Sequence, residues 1–375
     1  MDSITQIVLG AACGEAVLGK KIGNKALLFG AIGGTIPDLD VFVGRWLYTN
    51  EIDIMLFHRG FMHSFLFSIL GAFLLGWLLH TVYEKGKKSK IIFGIHSFYK
   101  KYFLTKFLFN WYQKYVNEKI TTINNWIQLF FWALFTHPIL DAFTGYGTQL
   151  FLPFLGYRLA FNNISVVDVF YTIPFLICLS IVLFYKRTHP KRRAWLKAGI
   201  IISSVYMLFT IGNKFYVNSI FEKSLKAEGI SYIRYQTQPS LFANILWYGT
   251  VETEDSYYMA YFSNFDTEHR ITDWQKIDKN HNLIPSQDND IKRLVWFSNK
   301  YYNIYKTETE NQYLFTDLRY PLFDPKDVKS SVFSFKVFKD KGRWNMVPFE
   351  APMKDEESMN LKEVFELMFN RMKGI

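Results

Sequence analysis

The residues of this chain with the most chemistry to offer are imidazoles and carboxylates set among apolar runs, and three short patterns gather them. They are Thr35-Ile36-Pro37-Asp38-Leu39-Asp40, His58-Arg59-Gly60-Phe61-Met62-His63-Ser64 and His137-Pro138-Ile139-Leu140-Asp141. His137 and Asp141 stand at i and i+4, one helical turn apart on one face, so both can grip a single ion. His58 and His63 are five apart with Gly60 between them, a spacing that lets the chain turn before an apolar helix and point two imidazoles into one cavity. Pro37 is expected to end a helical pattern and leave Asp38 and Asp40 in an extended turn, where period-two spacing aims both at a cation. The expected metal ligands are therefore Asp38, Asp40, His58, His63, His137 and Asp141. Mixed imidazole and carboxylate donors without thiolate suit Zn²⁺, and also Mn²⁺ or Fe²⁺. The two cysteines, Cys13 and Cys178, lie in apolar stretches and exclude a disulfide framework or a Cys-rich zinc site.

Three groups have types suited to catalysis around such an ion. Asp40 exceeds what one tetrahedral ion requires and is a candidate general base. The Arg59 guanidinium matches the geometry of a phosphate group, although a simple anchor at lipid head groups explains it equally well. Asp168 opens an apolar helix near the same end of the molecule; it and Asp2 also fit the simpler role of helix N-caps. Asp38 and Asp40 could instead be solvated interfacial acids, and His58 and His63 part of a hydrogen-bond network. Glu15 could be a core acid paired with a neighbouring helix.

The elements that must carry these residues are apolar helices. In a chain of 375 residues that is 50% hydrophobic, the first half holds six stretches near the roughly 20 residues needed to cross a bilayer. They are Ser3–Gly19, Ala26–Gly44, Met62–Val82, Trp126–Phe143, Val166–Tyr185 and Ala198–Gly212. The basic surplus belongs wholly to this half: residues 1–213 hold 21 Lys and Arg against 10 Asp and Glu, residues 214–375 hold 22 against 23. It sits in alternate loops, namely 20–25, 83–125 and 186–197, whereas loops 45–61 and 144–165 carry only Arg45, Arg59 and Arg158. That alternation records membrane topology better than nucleic-acid binding, and no nucleic-acid partner is expected. Positive residues stay in the cytoplasm, so the amino terminus, both poorly charged loops and everything after the sixth helix are expected outside. Asp2, Asp38, Asp40, His58, His63, His137, Asp141 and Asp168 then all fall at the outer face. Loop 83–125, which mixes Lys with aromatic residues, is expected as an amphipathic helix on the inner leaflet. The glycines at 10, 14, 19, 30, 33 and 34 suggest close helix packing.

After residue 213 the texture changes to alternating aromatic and polar residues. Phe242–Val251, Tyr257–Phe262, Gln312–Thr316 and Ser331–Phe338 read as strands, Ile291–Tyr305 and Leu361–Met372 as helices. The expected fold is mainly α, a polytopic membrane protein of about six membrane-associated helices over residues 1–213, with an α+β extracytoplasmic domain over 214–375.

The motifs Ile36-Pro37-Asp38-Leu39-Asp40, His58-Arg59-Gly60-Phe61-Met62-His63-Ser64 and Thr136-His137-Pro138-Ile139-Leu140-Asp141, with Gly147-Thr148-Gln149-Leu150-Phe151-Leu152-Pro153 after them, resemble the YdjM-like (YfhP-like) bacterial inner-membrane proteins. The resemblance covers roughly residues 1–185. It implies metal-dependent hydrolysis in the bacterial cytoplasmic membrane, with Asp38, His58, His63, His137 and Asp141 matching the family's metal ligands and Asp168 a recurrent acid. The chain departs from many relatives in carrying Gln6 after Thr5, where they have His, so a first-helix imidazole ligand is missing and the roles of Asp2, Gln6 and Glu15 are open. A looser resemblance to all-helical zinc phospholipases and nucleases implies phosphoester substrates. The resulting expectation is a membrane-bound hydrolase that contacts membrane lipids and acts on a lipid or envelope phosphoester. Its rivals are a divalent-metal transporter and a non-catalytic envelope protein with a structural metal.

Overall fold

The computed structural model describes residues 1–88, 121–321, 331, 333–349 and 361–374. The amphipathic helix expected within loop 83–125 lies mostly outside the described residues.

All six apolar stretches are helical. The first helix, α1 (Ser3–Ile22), starts where the Asp2 carboxylate accepts from the Thr5 backbone N–H at 3.0 Å, an N-cap as its residue type favours. Gly23, at φ 62°, turns the chain into α2 (Asn24–Thr35), which packs tightly along α1. A Cβ on Gly30 would stand 2.2 Å from the Gly10 carbonyl oxygen, and one on Gly14 2.0 Å from the Ala26 oxygen, so only glycine lets these two backbones meet. Pro37 does not end the helical path. It sits in the first turn of a short 3-10 segment, Ile36–Leu39, and the chain continues into α3 (Asp40–Leu47). Then come α4 (Glu51–Phe57), a 3-10 turn at Phe61–His63, and α5 (Phe65–Lys88). The core of the bundle is completed by α6 (Ile123–Ala142), α7 (Val169–Phe184, capped by Asp168) and α8 (Pro190–Ala227).

Among the described residues, three helical segments are long and apolar enough to cross a membrane: Asn24–Leu47, Phe65–Tyr83 and Pro190–Ala227; Val169–Phe184 is a shorter apolar helix. Lys21 donates to Asn125, at the start of α6, and Arg187 donates to the Lys21 carbonyl, which gathers basic residues at one end of the bundle. At that end the buried Glu15 receives both forks of Arg192, at 2.7 and 2.6 Å, a helix-to-helix pairing that settles a role the sequence left open.

The 38 residues of α8, about 57 Å at 1.5 Å per residue, run straight through position 213, where the sequence suggested a domain boundary. Val217, Ile220 and Phe221 from its last turns pack on Trp247, Ala260 and Phe262. Two antiparallel four-stranded meanders follow. The first is β1 (Arg234–Pro239), β2 (Leu246–Glu252), β3 (Ser256–Ser263) and β4 (Gln275–Asp278); the second is β5 (Tyr302–Lys306), β6 (Gln312–Asp317), β7 (Ser334–Asp340) and β8 (Arg343–Pro348). The helix expected at Ile291–Tyr305 is shorter: α9 (Asn289–Phe297) stops before Asn299 and Lys300, both at positive φ, and Tyr302 already belongs to β5. The last helix, α10, spans Leu361–Met372.

One helix from the bundle's loops lies inside the second sheet's core. Ile52 and Leu56 of α4 are buried with Ile291, Leu294, Phe297 and Trp344, and Asn50 donates to the Trp344 carbonyl at 2.8 Å. The segment leading to His58 and Arg59 is thereby fixed on the carboxy-terminal domain.

Candidate metal centre

The end of the bundle away from Lys21 and Arg187 collects side chains from α2, α5, α6 and their connections. His137 and Asp141 occupy the last turns of α6 and are fully buried. Asp38 arrives from the 3-10 turn after α2, and His63 from the turn that precedes α5. One ligand atom from each of these four residues lies within 4.8 Å of every other.

The distances are close to those of a tetrahedral site. The two imidazole Nε2 atoms are 3.1 Å apart. From His63 Nε2, Asp38 Oδ1 is at 3.5 Å and Asp141 Oδ2 at 3.3 Å; from His137 Nε2 they are at 3.4 and 3.5 Å. A tetrahedron with a centre-to-vertex distance of about 2.0–2.1 Å has edges of about 3.3–3.4 Å, so five of the six donor separations suit a cation of Zn²⁺ size, and the sixth, Asp38 to Asp141, is within 4.8 Å.

Hydrogen bonds behind the rings decide which atoms face inward. His137 Nδ1 lies 2.7 Å from the Gly34 carbonyl oxygen, which can only accept, so Nδ1 carries the proton and Nε2 presents a lone pair. His63 Nδ1 lies 3.0 Å from Asp40 Oδ2. That contact is an ion pair by distance but departs from hydrogen-bond direction, because Nδ1 has no well-directed acceptor. It still favours the proton on Nδ1 and a lone pair on Nε2. An oxygen behind each ring is the arrangement that orients metal-ligating histidines. Asp141 Oδ2 is buried without a hydrogen-bond partner, although two imidazoles surround it. Such a carboxylate oxygen is costly unless well-directed donors or a cation satisfy it, and the Arg59 Nε, 3.4 Å away, makes no directed hydrogen bond to it.

Asp40 and His58 stand elsewhere than the sequence suggested. Asp38 and Asp40 do not share an extended turn: in helical backbone, residues two apart point about 200–240° around the axis, to different sides. Asp38 faces the two Nε2 atoms, whereas Asp40 sits behind them. Its Oδ1 lies 2.8 Å from His58 Nδ1, and its Oδ2 accepts the Arg59 backbone N–H at 2.9 Å. His58 turns toward Asp40 and Tyr146, outside the converging four. Asp168 caps α7, accepting from the Phe170 and Tyr171 N–H groups at 3.0 and 3.1 Å, and takes the Tyr206 hydroxyl at 3.0 Å. Those bonds engage it as a helix cap and give it no contact with the four donors, in place of the catalytic position expected for it.

Arg59 does reach the centre. It is buried at φ 56°, an unfavourable conformation for a side-chain-bearing residue that the bond to Asp40 helps to hold. Its Nε lies 3.4 Å from Asp141 Oδ2, its Nη1 donates to Thr144 Oγ1 at 2.9 Å, and its guanidinium stacks 4.9 Å from the Tyr146 ring centroid. Thr144 in turn donates to the Asp141 carbonyl at 2.7 Å.

Gln6 replaces the missing first-helix imidazole with a different task. Its amide donates to Asp141 Oδ1 at 3.0 Å and to the His137 carbonyl at 3.2 Å, and the Met1 nitrogen also donates to Asp141 Oδ1. These donors occupy one carboxylate oxygen and leave Oδ2 for the centre. Gly34, Thr144 and Tyr146 belong to no ligand type, and only the glycine spacing along α2 signalled any of them. The centre is open to solvent at its rim, where Asp38 and His58 keep 22% and 26% side-chain exposure.

A family model described as YdjM inner membrane protein matches residues 1–216, more than half of the chain, and the chain belongs to that family. No curated protein and no solved structure matches it.

Proposed function

We propose that this member of the YdjM inner membrane protein family is a metal-dependent hydrolase whose site is held by Asp38, His63, His137 and Asp141. The supporting observation is the inward convergence of two imidazole lone pairs and two carboxylate oxygens. A second proton on His63 could bridge the 3.1 Å between the rings, but it would leave Asp141 Oδ2 without a well-directed donor. One divalent cation satisfies all four groups, and Zn²⁺ fits the donor set and the spacing. Such an ion supplies Lewis acidity toward a phosphoryl or carbonyl oxygen and toward water.

The surrounding residues orient and charge the site. Asp40 and the Gly34 carbonyl hold the two rings in register, Gln6 and Arg59 hold Asp141, and Arg59 brings a positive charge to an anionic substrate group. Asp40, engaged by His58, Arg59 and His63, serves as a positioning carboxylate. The end that carries Lys21 and Arg187 is cytoplasmic in this reading, so centre and carboxy-terminal domain face outward, and a lipid or envelope phosphoester is the substrate.

One observation favours a structural ion instead: four protein donors close a tetrahedron, and a catalytic ion needs an open position. Asp38, the one partly exposed donor, is the ligand that could give way to substrate. Metal content of purified protein tests the site. Wild type should carry a divalent ion, and the His63→Ala/His137→Ala double variant should lose it; unchanged stoichiometry would refute the assignment.

A further inference from the structure

We propose that Arg59, Arg158 and Tyr320 form a phosphoryl-binding subsite beside the metal centre, so that the carboxy-terminal domain completes the site. This rests on the hydrolase reading for its purpose, though not for its geometry.

Three guanidinium groups gather on two aromatic rings. Arg59 and Arg158 lie 4.9 and 5.4 Å from the Tyr146 centroid, and Arg158 and Arg319 lie 5.1 and 4.8 Å from that of Phe297. Arg319 is neutralised by Asp317, which takes its Nε and Nη2 at 3.0 and 2.7 Å. Among the described residues, the hydrogen-bond partners of Arg158 are all carbonyls: Gly147, Leu56 and His58. Arg59 has the Thr144 hydroxyl and a 3.4 Å approach to Asp141, a carboxylate already committed to the metal centre. Among the described residues, Asp317 pairs Arg319, and Asp141 and Asp40 both lie beside Arg59, so Arg158 is the guanidinium left without a carboxylate partner. The Arg158 value is accordingly depressed to about 10, by burial and by the neighbouring Arg319 and Arg59.

Unused donors mark where a ligand fits. Among the described residues, Arg59 Nε, on a side chain more than nine-tenths buried and 3.4 Å from Asp141 Oδ2, makes no directed hydrogen bond, nor do the buried Arg158 Nε and Tyr320 hydroxyl. Tyr320 belongs to the same cluster: its ring stacks 4.5 Å from Phe333, which lies 6.3 Å from Tyr146, and the Arg319 guanidinium lies 5.6 Å from the Tyr320 ring. Tyr320 follows β6, so its hydroxyl is brought to the bundle by the domain beyond the family match. Arginine forks with a neutral O–H donor recognise a tetrahedral oxyanion, and a phosphoryl group there would lie next to Asp141 and the ion it helps to hold.

The test uses full-length protein in detergent, once stripped of metal by chelator and once loaded with Zn²⁺, titrated with inorganic phosphate at constant ionic strength. Phosphate should bind the metal-free protein and raise its melting temperature, with Arg59→Lys weakening binding about tenfold or more and Tyr320→Phe several-fold. Tyr320→Phe removes a hydroxyl with no hydrogen-bond partner among the described residues, so it should fold normally and carries the test even if Arg59→Lys does not. A short-chain phosphatidic acid in place of phosphate separates sources: tighter binding assigns a lipid head group, equal or weaker binding a soluble phosphate. No phosphate binding by wild type, or undiminished binding by Tyr320→Phe, would overturn the subsite. The hydrolase reading fails separately, if wild-type protein takes up no divalent ion when titrated with the metal alone.

Discussion

Substituting Gly34 with alanine couples helix packing to the metal centre in a way that can be worked through from distances. An ideal Cβ at position 34 stands 2.5 Å from the Gln6 carbonyl oxygen and 3.0 Å from the Gly10 Cα, whereas ordinary contact begins at 3.4 Å. Both obstacles are backbone, so α2 must move off α1 by roughly 0.9 Å at this point; overpacking of this kind costs about 1–3 kcal/mol. The Gly34 carbonyl accepts from His137 Nδ1 at 2.7 Å, and a shift of that size stretches the bond to at most about 3.6 Å, at the edge of or beyond hydrogen-bond range. Asp38, four residues further along, moves with it. Loss of a group that orients a ligating histidine lowers metal affinity about 10- to 100-fold, or about 1.4–2.8 kcal/mol at 1.4 per tenfold. Competition with a chelator of known Zn²⁺ affinity, alongside thermal unfolding in detergent, reads both effects. Gly212→Ala is the control: it is a helical glycine whose added Cβ meets nothing within 4 Å, so affinity and stability should hold. If Gly34→Ala binds Zn²⁺ as wild type does and melts at the same temperature, the link from glycine contact to imidazole orientation is wrong.

Two further outcomes follow from ion pairs. Glu15→Gln leaves the buried Arg192 guanidinium without its counter-charge, which should cost about 3–5 kcal/mol, while the Glu15→Leu/Arg192→Leu pair should recover much of it; thermal melts compare the three. Asp53 joins α4 to the carboxy-terminal domain through Arg293 and Arg343 at the protein surface. Burial raises its value, but hydrogen bonds from Arg343 and Arg293 outweigh this and hold it below the usual carboxylate range. Its stabilisation, about 0.2–1 kcal/mol for partners this exposed, is therefore full above the unfolded-state value near pH 4 and is lost as pH falls through the lower folded-state value. The gap in melting temperature between wild type and Asp53→Asn should be present at pH 7 and shrink as pH falls below the unfolded-state value.

Hydropathy made the bundle legible because each apolar stretch is long enough to declare itself, and all six are helical. Strands with strong alternation, β2, β3, β6 and β7, are also visible in sequence. β5 is hidden inside an apparently continuous helix because only the turn at Asn299 and Lys300 breaks the pattern, and neither residue is a strong breaker. In the centre, His137 and Asp141 were fixed by helical spacing alone. Asp38 and His63 were recognisable as donors, but which of Asp38 and Asp40 faces inward depends on whether two residues are helical or extended, and Pro37 favoured the wrong choice. Gln6 and the Gly34 carbonyl act through hydrogen bonds that no spacing announces. The α4 anchor on the second sheet joins residues nearly 300 positions apart, as in the Asn50–Trp344 bond, and lies beyond any local pattern.

Crystals of the full chain grown with Zn²⁺ and measured at the zinc absorption edge test the central assignment most directly. The expected result is one anomalous peak among Asp38, His63, His137 and Asp141, about 2.0–2.2 Å from each donor atom. No peak there, or a peak coordinated instead by His58 and Asp40, would contradict it.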